Sequence, residues 1–286
     1  MANKVIITAD RTCDLGKELT QRYDIHDIPL HIVFGDESYD DWETITPEEV
    51  YERFYETKEL PKTAANNTEE YAEFFKKFID EGYDIVHIAL GSKLSSTQSA
   101  SILAAQQFEG RAFCVDSCSL STGSGILAIK AAQMRDSGMS AKEIAEQTQK
   151  LASKTHASFV LERLDFMKAG GRCSAIALLG ANLLSLRPSI EVLNNDGGAM
   201  TVGKKYRGKY GKVLIEYMED TLAKYDNIDT DRVFITHAGA DKEYVDLVFD
   251  ALNAKGIFKE VLVTRASCVI SSHCGPNTLG ILFMTK

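Results

Sequence analysis

Three short runs of consecutive apolar residues mark the first part of the chain: KVIIT at 4–8, DIVHIAL at 84–90 and RAFCV at 111–115. Runs of this length without polar alternation predict strands buried on both faces. Between them the pattern turns helical, and the helix starts are legible. Thr46-Pro47-Glu48-Glu49 reads as a capping box with proline in the first turn, and Ser140-Ala141-Lys142-Glu143 reads as another. Asn67 to Glu70 acts similarly ahead of YAEFFKKFIDEG, where Tyr71, Phe74, Phe75 and Phe78 fall on one face and predict core packing. The β-α-β-α order up to about residue 155 implies a parallel sheet with helices on both faces.

Beyond residue 155 the pattern changes. HASFVLE is a strand, and RPSIEVLNNDGGAMTVGKKYR predicts a hairpin whose NDGG supplies the positive-φ residues of the turn. RVFITHA and KEVLVTR are strands flanking the helix DKEYVDLVFDALNAKG, and TLGILFM is a last strand. The expected fold is therefore α/β in two domains. Residues 1–155 form an N-terminal parallel α/β/α domain, and residues 156–286 form a C-terminal mixed-sheet domain.

Charge narrows the partners. The 286 residues carry 32 basic and 41 acidic side chains, a net charge of −9, which argues against nucleic acid as a partner. The six cysteines form no CxxC pair and the six histidines no HExxH, so reduced thiols and no metal are expected. MANKVIITAD is already strand-like rather than a secretory leader, and no apolar run approaches the ~20 residues of a membrane span. These features set the expected location as the cytoplasm.

Five loops hold residues suited to chemistry. Thr63 in LPKTAANN precedes a helix, as a cap or as a hydroxyl aimed at a ligand. Ser95, Ser96 and Thr97 in GSKLSSTQSA sit where a strand turns into a helix. Unpaired amides there favour an anion, a carboxylate or a phosphate, while capping accounts equally for the serines. No GxSxG surrounds them and no GxxxxGK[ST] occurs, which argues against a serine nucleophile and a nucleotide loop. In KAGGRCS, Gly170-Gly171 makes a tight turn that exposes Arg172, either as a helix end or as an anion-binding arginine. GKKYRGKYGK has five basic residues in ten, including Arg207; it is a solvated run or, with Arg172, a local electropositive patch. In SSHCGPNTLG, glycine and proline frame His273 in a structured loop.

Taken in order, these loops resemble the DegV family, whose members include the fatty-acid-binding subunits of bacterial fatty acid kinase. IITADRTCDLGKEL is similar to the family's TDS-x-x-DLP opening, and IPLHIVFGDESYDDWETITPEEVYERF to its second segment. VDSCSLSTGSG, RLDFMKAGGRCSAIALLGANLLSLRPSI, KKYRG and SSHCGPNTLG resemble its later motifs. The chain departs from the family in TAANN for TSQPS, Ser95-Ser96-Thr97 for SGT, and Gly275-Pro276-Asn277 for GPG.

The resemblance implies a carrier rather than a catalyst. Thr63, Ser95 and Ser96, with His273 beside them, would hold the carboxylate of a long-chain fatty acid. The acyl chain would run in a lipid tunnel between the domains, with AIALLGANLLSL at 175–186 suited to its wall. Arg172 and Arg207 would form a surface for a fatty acid kinase catalytic subunit or for phosphoryl transfer, with transient contact to the membrane face. No cofactor is implied beyond the bound lipid. Charge-assisted hydrogen bonds to the carboxylate are worth about 1.5–3 kcal/mol each. At ~0.8 kcal/mol per buried CH₂ a ~16-carbon tail contributes a gross term near 12 kcal/mol, so the tail dominates affinity. Two alternatives stay open. One is a dihydroxyacetone-kinase-like phosphotransferase subunit in which His273 holds a small ketone; the other is a carrier of another amphiphilic acid. A hydrolase using Ser95 is a more distant reading.

Overall fold

The computed structural model describes residues 4–177 and 186–286. In chain order the elements are β1 (Lys4–Asp10), α1 (Gly16–Tyr23), β2 (Ile25–Ile28), β3 (His31–Phe34), β4 (Glu37–Asp40), α2 (Pro47–Thr57), β5 (Lys62–Ala64), α3 (Thr68–Asp80), β6 (Tyr83–Ala89), α4 (Thr97–Ala105), β7 (Ala112–Asp116), α5 (Thr122–Asp136) and α6 (Ala141–Ala152). There follow β8 (Thr155–Val160), α7 (Asp165–Gly170), α8 (Ser174–Ala177), β9 (Leu186–Leu193), β10 (Ala199–Arg207), α9 (Tyr210–Ala223), β11 (Ile228–Ala238), α10 (Lys242–Lys255), β12 (Glu260–Arg265), α11 (Cys268–Cys274) and β13 (Thr278–Thr285).

The three apolar runs become β1, β6 and β7 of a parallel sheet ordered β2-β1-β6-β7. All three capping boxes form: the side chains of Thr46, Asn67 and Ser140 each accept the third amide of their helix, and the glutamate returns the bond. Tyr71 and Phe75 are fully buried, with Phe74 and Phe78 packed against the same cluster. The second sheet is six-stranded and mixed, ordered β10-β9-β8-β13-β11-β12, with β11 and β12 parallel and the other pairs antiparallel. Gly197 and Gly198 carry the positive φ of the β9–β10 turn.

Two expectations needed correction. The first half is not an unbroken β-α-β-α series. Residues 31–64 contribute a separate antiparallel sheet, β4-β3-β5, because Gly35 at φ 55° reverses the chain into a hairpin with Phe34 opposite Glu37. His273 does not lie in a loop. It sits in the last turn of α11, which Ser267 caps at one end and Gly275 stops at the other.

The two large sheets share one core. Ile7, Ile88 and Val115 of the parallel sheet join Phe159, Phe234 and Leu282 of the mixed sheet in a single cluster. The layer between them is α5, buried from Thr122 to Ile129 on every side. It touches β1 and β6 on one face and β8 and β13 on the other. A helix enclosed this way is apolar or small all round rather than amphipathic. The small sheet packs separately, through Leu30, Ile32 and Phe34, onto Phe166 of α7's first turn and Val269 of α11.

Candidate functional site

Four segments that are far apart in sequence meet around one cavity. Thr63 is on β5, and Ser95 and Ser96 immediately precede α4. Arg172 follows α7, and His273 is on α11; all five line the cavity. Its enclosed volume is about 130 Å³, below the roughly 300–1,000 Å³ typical of small-molecule pockets, and the empty space is about 700 Å³ once the open mouth is included. Ser96 and Arg172 are exposed, whereas Leu30, Leu90, Leu120 and Met167 are buried. The polar residues therefore mark the open end and the apolar residues the interior. Residues 178–185, most of the segment expected as a tunnel wall, lie outside the described residues.

Thr63 and His273 are in direct contact, with Thr63 Oγ1 2.8 Å from His273 Nε2. Burial first, and then the charge of Arg172, pushes the imidazole down to about 4, so it is neutral near pH 7. On the opposite side Ser95 Oγ accepts the backbone N–H of Thr97 at 3.3 Å. This is a local serine turn just ahead of the helix, and it leaves the hydroxyl hydrogen available as a donor. Ser96 precedes α4 without a side-chain cap bond. The first amides of the helix, which have no intrahelical acceptor, add to the positive potential there.

Arg172 is held by two carbonyls: Nε donates to Leu94 O at 3.3 Å and Nη1 to Gly170 O at 2.7 Å. Among the described residues no carboxylate pairs with it, so its charge acts on the cavity uncompensated. Arg207 is not brought to this site. It is exposed at the far end of β10 from Met200, the strand residue that does line the cavity. Seven residues of strand separate the two, roughly 20 Å. The basic run is also partly neutralised, since Lys204 bonds Asp220 at 2.6 Å and Lys212 pairs with Glu216.

The structure adds residues that sequence reasoning missed. Asp14 and Asp41 are buried carboxylates from the first half, and both serve α11. Asp14 Oδ1 accepts Ser267 N–H at 2.9 Å, and Asp41 accepts Cys268 N–H at 2.7 Å and Val269 N–H at 3.2 Å. With Ser267 Oγ accepting Ile270 N–H, the opening amides of the helix are satisfied. The available signal was the aspartates in TCDL and YDDW, both inside segments that resemble family motifs but to which no role was assigned. Met167 and Met200 also line the cavity and carried no pattern of their own. The six cysteines are free thiols, and no group of three or more potential metal ligands occurs among the described residues.

In chemical terms the cavity combines buried apolar side chains with hydroxyl, amide and guanidinium donors. The fold around it is mixed α/β, with a parallel sheet in the first half and a mixed sheet in the second, and both halves of the chain line the cavity. The family model described as "Uncharacterised protein, DegV family" matches residues 4–286, and the chain belongs to the DegV family. A DegV family protein from Thermus thermophilus, whose structure is described for its fatty acid binding, is 28% identical. The match covers 99% of this chain and 100% of that one, with a TM-score of 0.90. DegV from Bacillus subtilis, described as a fatty acid binding protein, is 25% identical over 100% of both chains with a TM-score of 0.83. A Thermotoga maritima protein named fatty acid-binding protein is 28% identical over 97% of this chain and 96% of its own.

Proposed function

We propose that this chain is a fatty-acid carrier. It buries the acyl tail of a long-chain fatty acid between its lobes and keeps the carboxylate at the open end, against Thr63, Ser95 and Ser96 with His273 behind them. The observation that carries the reading is the convergence of Thr63, Ser95 and Arg172 at one end of an apolar cavity. Such a site supplies hydrogen-bond donors to a carboxylate. The similar proteins named for fatty acid binding support the same ligand class.

The carboxylate held at the mouth is placed for a separate ATP-dependent fatty acid kinase. In that reaction a carboxylate oxygen forms the new bond to the γ-phosphorus, the bond to ADP breaks, and the acyl phosphate stays on the carrier. Arg172 would face the incoming phosphates. The exposed Lys205, Arg207 and Lys209 would form a second, more distant contact with the kinase or with an anionic membrane surface. No helix among the described residues is long and apolar enough to cross a membrane, which is consistent with a carrier that visits a surface. The reading in which His273 captures a small ketone is less well supported. Its Nε2 is on Thr63 and its Nδ1 lies against Gly170.

The test is to purify the protein from a bacterial host, denature it in organic solvent and identify the released lipid by mass spectrometry. One long-chain fatty acid per chain is expected. With a fatty acid kinase catalytic subunit and ATP, that acid should become acyl phosphate, trapped as the hydroxamate. A protein that is empty and takes up neither oleate nor palmitate overturns the carrier reading. Binding without conversion removes only the kinase partnership.

A further inference from the structure

Gly170 and Gly171 close α7 together, but for different reasons. Gly171 is the left-handed cap, at φ +66°. Gly170 is outside that region, so its backbone would accept an L side chain, and in the last turn of a helix alanine would be preferred. Space is what forbids one. A Cβ on Gly170 would lie 2.3 Å from His273 Nδ1 and 3.2 Å from Cγ and Cε1, all atoms of a ring rather than of a flexible chain end.

The partners of the two ring nitrogens indicate which one carries the proton. The ring is neutral and has one proton to place. Nδ1 is buried and has no hydrogen-bond partner among the described residues, while Nε2 is 2.8 Å from Thr63 Oγ1. A proton on Nδ1 would be an orphaned donor, which costs more than an unused acceptor. The proton therefore sits on Nε2 and is donated to Thr63. Thr63 Oγ1, once it accepts that bond, has its own hydrogen to donate, and the residue faces the cavity. Ser95, whose oxygen already accepts Thr97 N–H, is in the same position.

We infer that Gly170 is a positioning residue that determines head-group specificity. By leaving no side chain behind the His273 ring, it seats Nε2–H on Thr63, uses one of the hydroxyl's two acceptor positions and turns its O–H toward the ligand, which makes the polar end rich in donors. Such a site selects a carboxylate, which offers only acceptors, over an isosteric head that carries its own N–H groups. This inference rests on the fatty-acid reading above and names what that site discriminates against.

The experiment compares oleic acid with oleamide, which has the same tail and an isosteric head, by titration into the lipid-stripped wild type and the Gly170→Ala variant. The wild type should prefer the acid. Gly170→Ala should lose roughly tenfold or more of that preference, because a displaced ring frees Thr63 to rotate and accept from the amide. His273→Leu should lose a comparable share and replaces Gly170→Ala if that variant does not fold. Histidine-ring ¹⁵N NMR of the wild type should show Nε2 protonated and Nδ1 bare, and Gly170→Ala should shift both signals. A preference unchanged in both variants, or a proton found on Nδ1, overturns the inference. A wild type that binds neither lipid removes the specificity claim together with the carrier reading. The NMR result then decides separately whether Gly170 seats the ring.

Discussion

Asp41 Oδ1 accepts the backbone N–H of Cys268 at 2.7 Å, and Oδ2 of the same carboxylate accepts that of Val269. One buried side chain thus ties the small antiparallel sheet, which carries Thr63, to the helix that carries His273. Arg11 adds to the tie by donating to Asp41 O at 2.7 Å. Asparagine at 41 keeps one acceptor oxygen and leaves the other amide facing an NH₂ group. Asp41→Asn is expected to cost about 1–3 kcal/mol in denaturant unfolding, the range for one orphaned buried donor. It should also weaken lipid binding, because Thr63 and His273 lose their common registration. An unchanged melt would show that the amides find other partners.

Asp14 makes stability depend on pH in an uncommon direction. Burial pushes its carboxyl from the ordinary 3.8 up to about 7, against the hydrogen bonds from Ser121 and Ser267. The folded protein therefore binds this proton more readily than the unfolded chain does between those two values. The contribution to stability is fully present below pH 4 and is lost as pH rises through 7. At ~1.4 kcal/mol per unit the full span is of the order of 4 kcal/mol. Asp14→Asn should remove this part of the profile, so the stability difference between variant and wild type should grow in the variant's favour from pH 5 to pH 8. Parallel profiles from chemical unfolding across that range would contradict the assignment.

The head-group hydroxyls should act on affinity rather than on folding. Thr63→Val and Ser95→Ala each remove one donor to the carboxylate while leaving the apolar cavity in place. Each should weaken oleate binding by about tenfold or more, from a charge-assisted bond of roughly 1.5–3 kcal/mol. Isothermal titration of lipid-stripped protein checks this. Equal affinity in both variants would move the carboxylate away from these hydroxyls.

The loop that carries Ser95 is placed both from its own half of the chain and from the second half. Gly91 N–H donates to Ser119 O at 2.9 Å, and Lys93 N–H donates to Gly197 O at 2.9 Å in the turn between β9 and β10. A Cβ on Gly91 would be 2.7 Å from Gly197 O and 3.0 Å from the backbone of Ser119, atoms that cannot turn aside. Gly91→Ala should therefore destabilise by about 1–3 kcal/mol and raise the dissociation constant for oleate by moving the loop that ends in Ser95. A melt and a lipid titration on the same sample read both effects.

Much of this architecture was legible along the chain. KVIIT, DIVHIAL and RAFCV read as strands, the last of them the half-buried edge strand β7, and the three capping boxes fixed where their helices begin, because both signals are local. The hairpin 31–40 was less legible: HIVF is only four residues long, and Gly35 alone signals the turn. His273 was visible as a residue but not as a helical one, since a seven-residue helix is too short to establish periodicity and its opening amides are satisfied by Asp14 and Asp41 from far upstream.

The sequence by itself determined most of the element types, the change from parallel to mixed sheet, the capped helix starts and the identity of the donor-bearing segments, all set by contacts within a few residues. Tertiary structure alone decided that Thr63, Ser95, Arg172 and His273 share one cavity while Arg207 does not. It also decided that two buried aspartates hold α11 and that Gly170 is small for the sake of an imidazole 103 positions away in the chain. The physical reason is that hydrogen-bond satisfaction and steric exclusion in a buried space depend on which atoms arrive there, and no spacing along the chain encodes that.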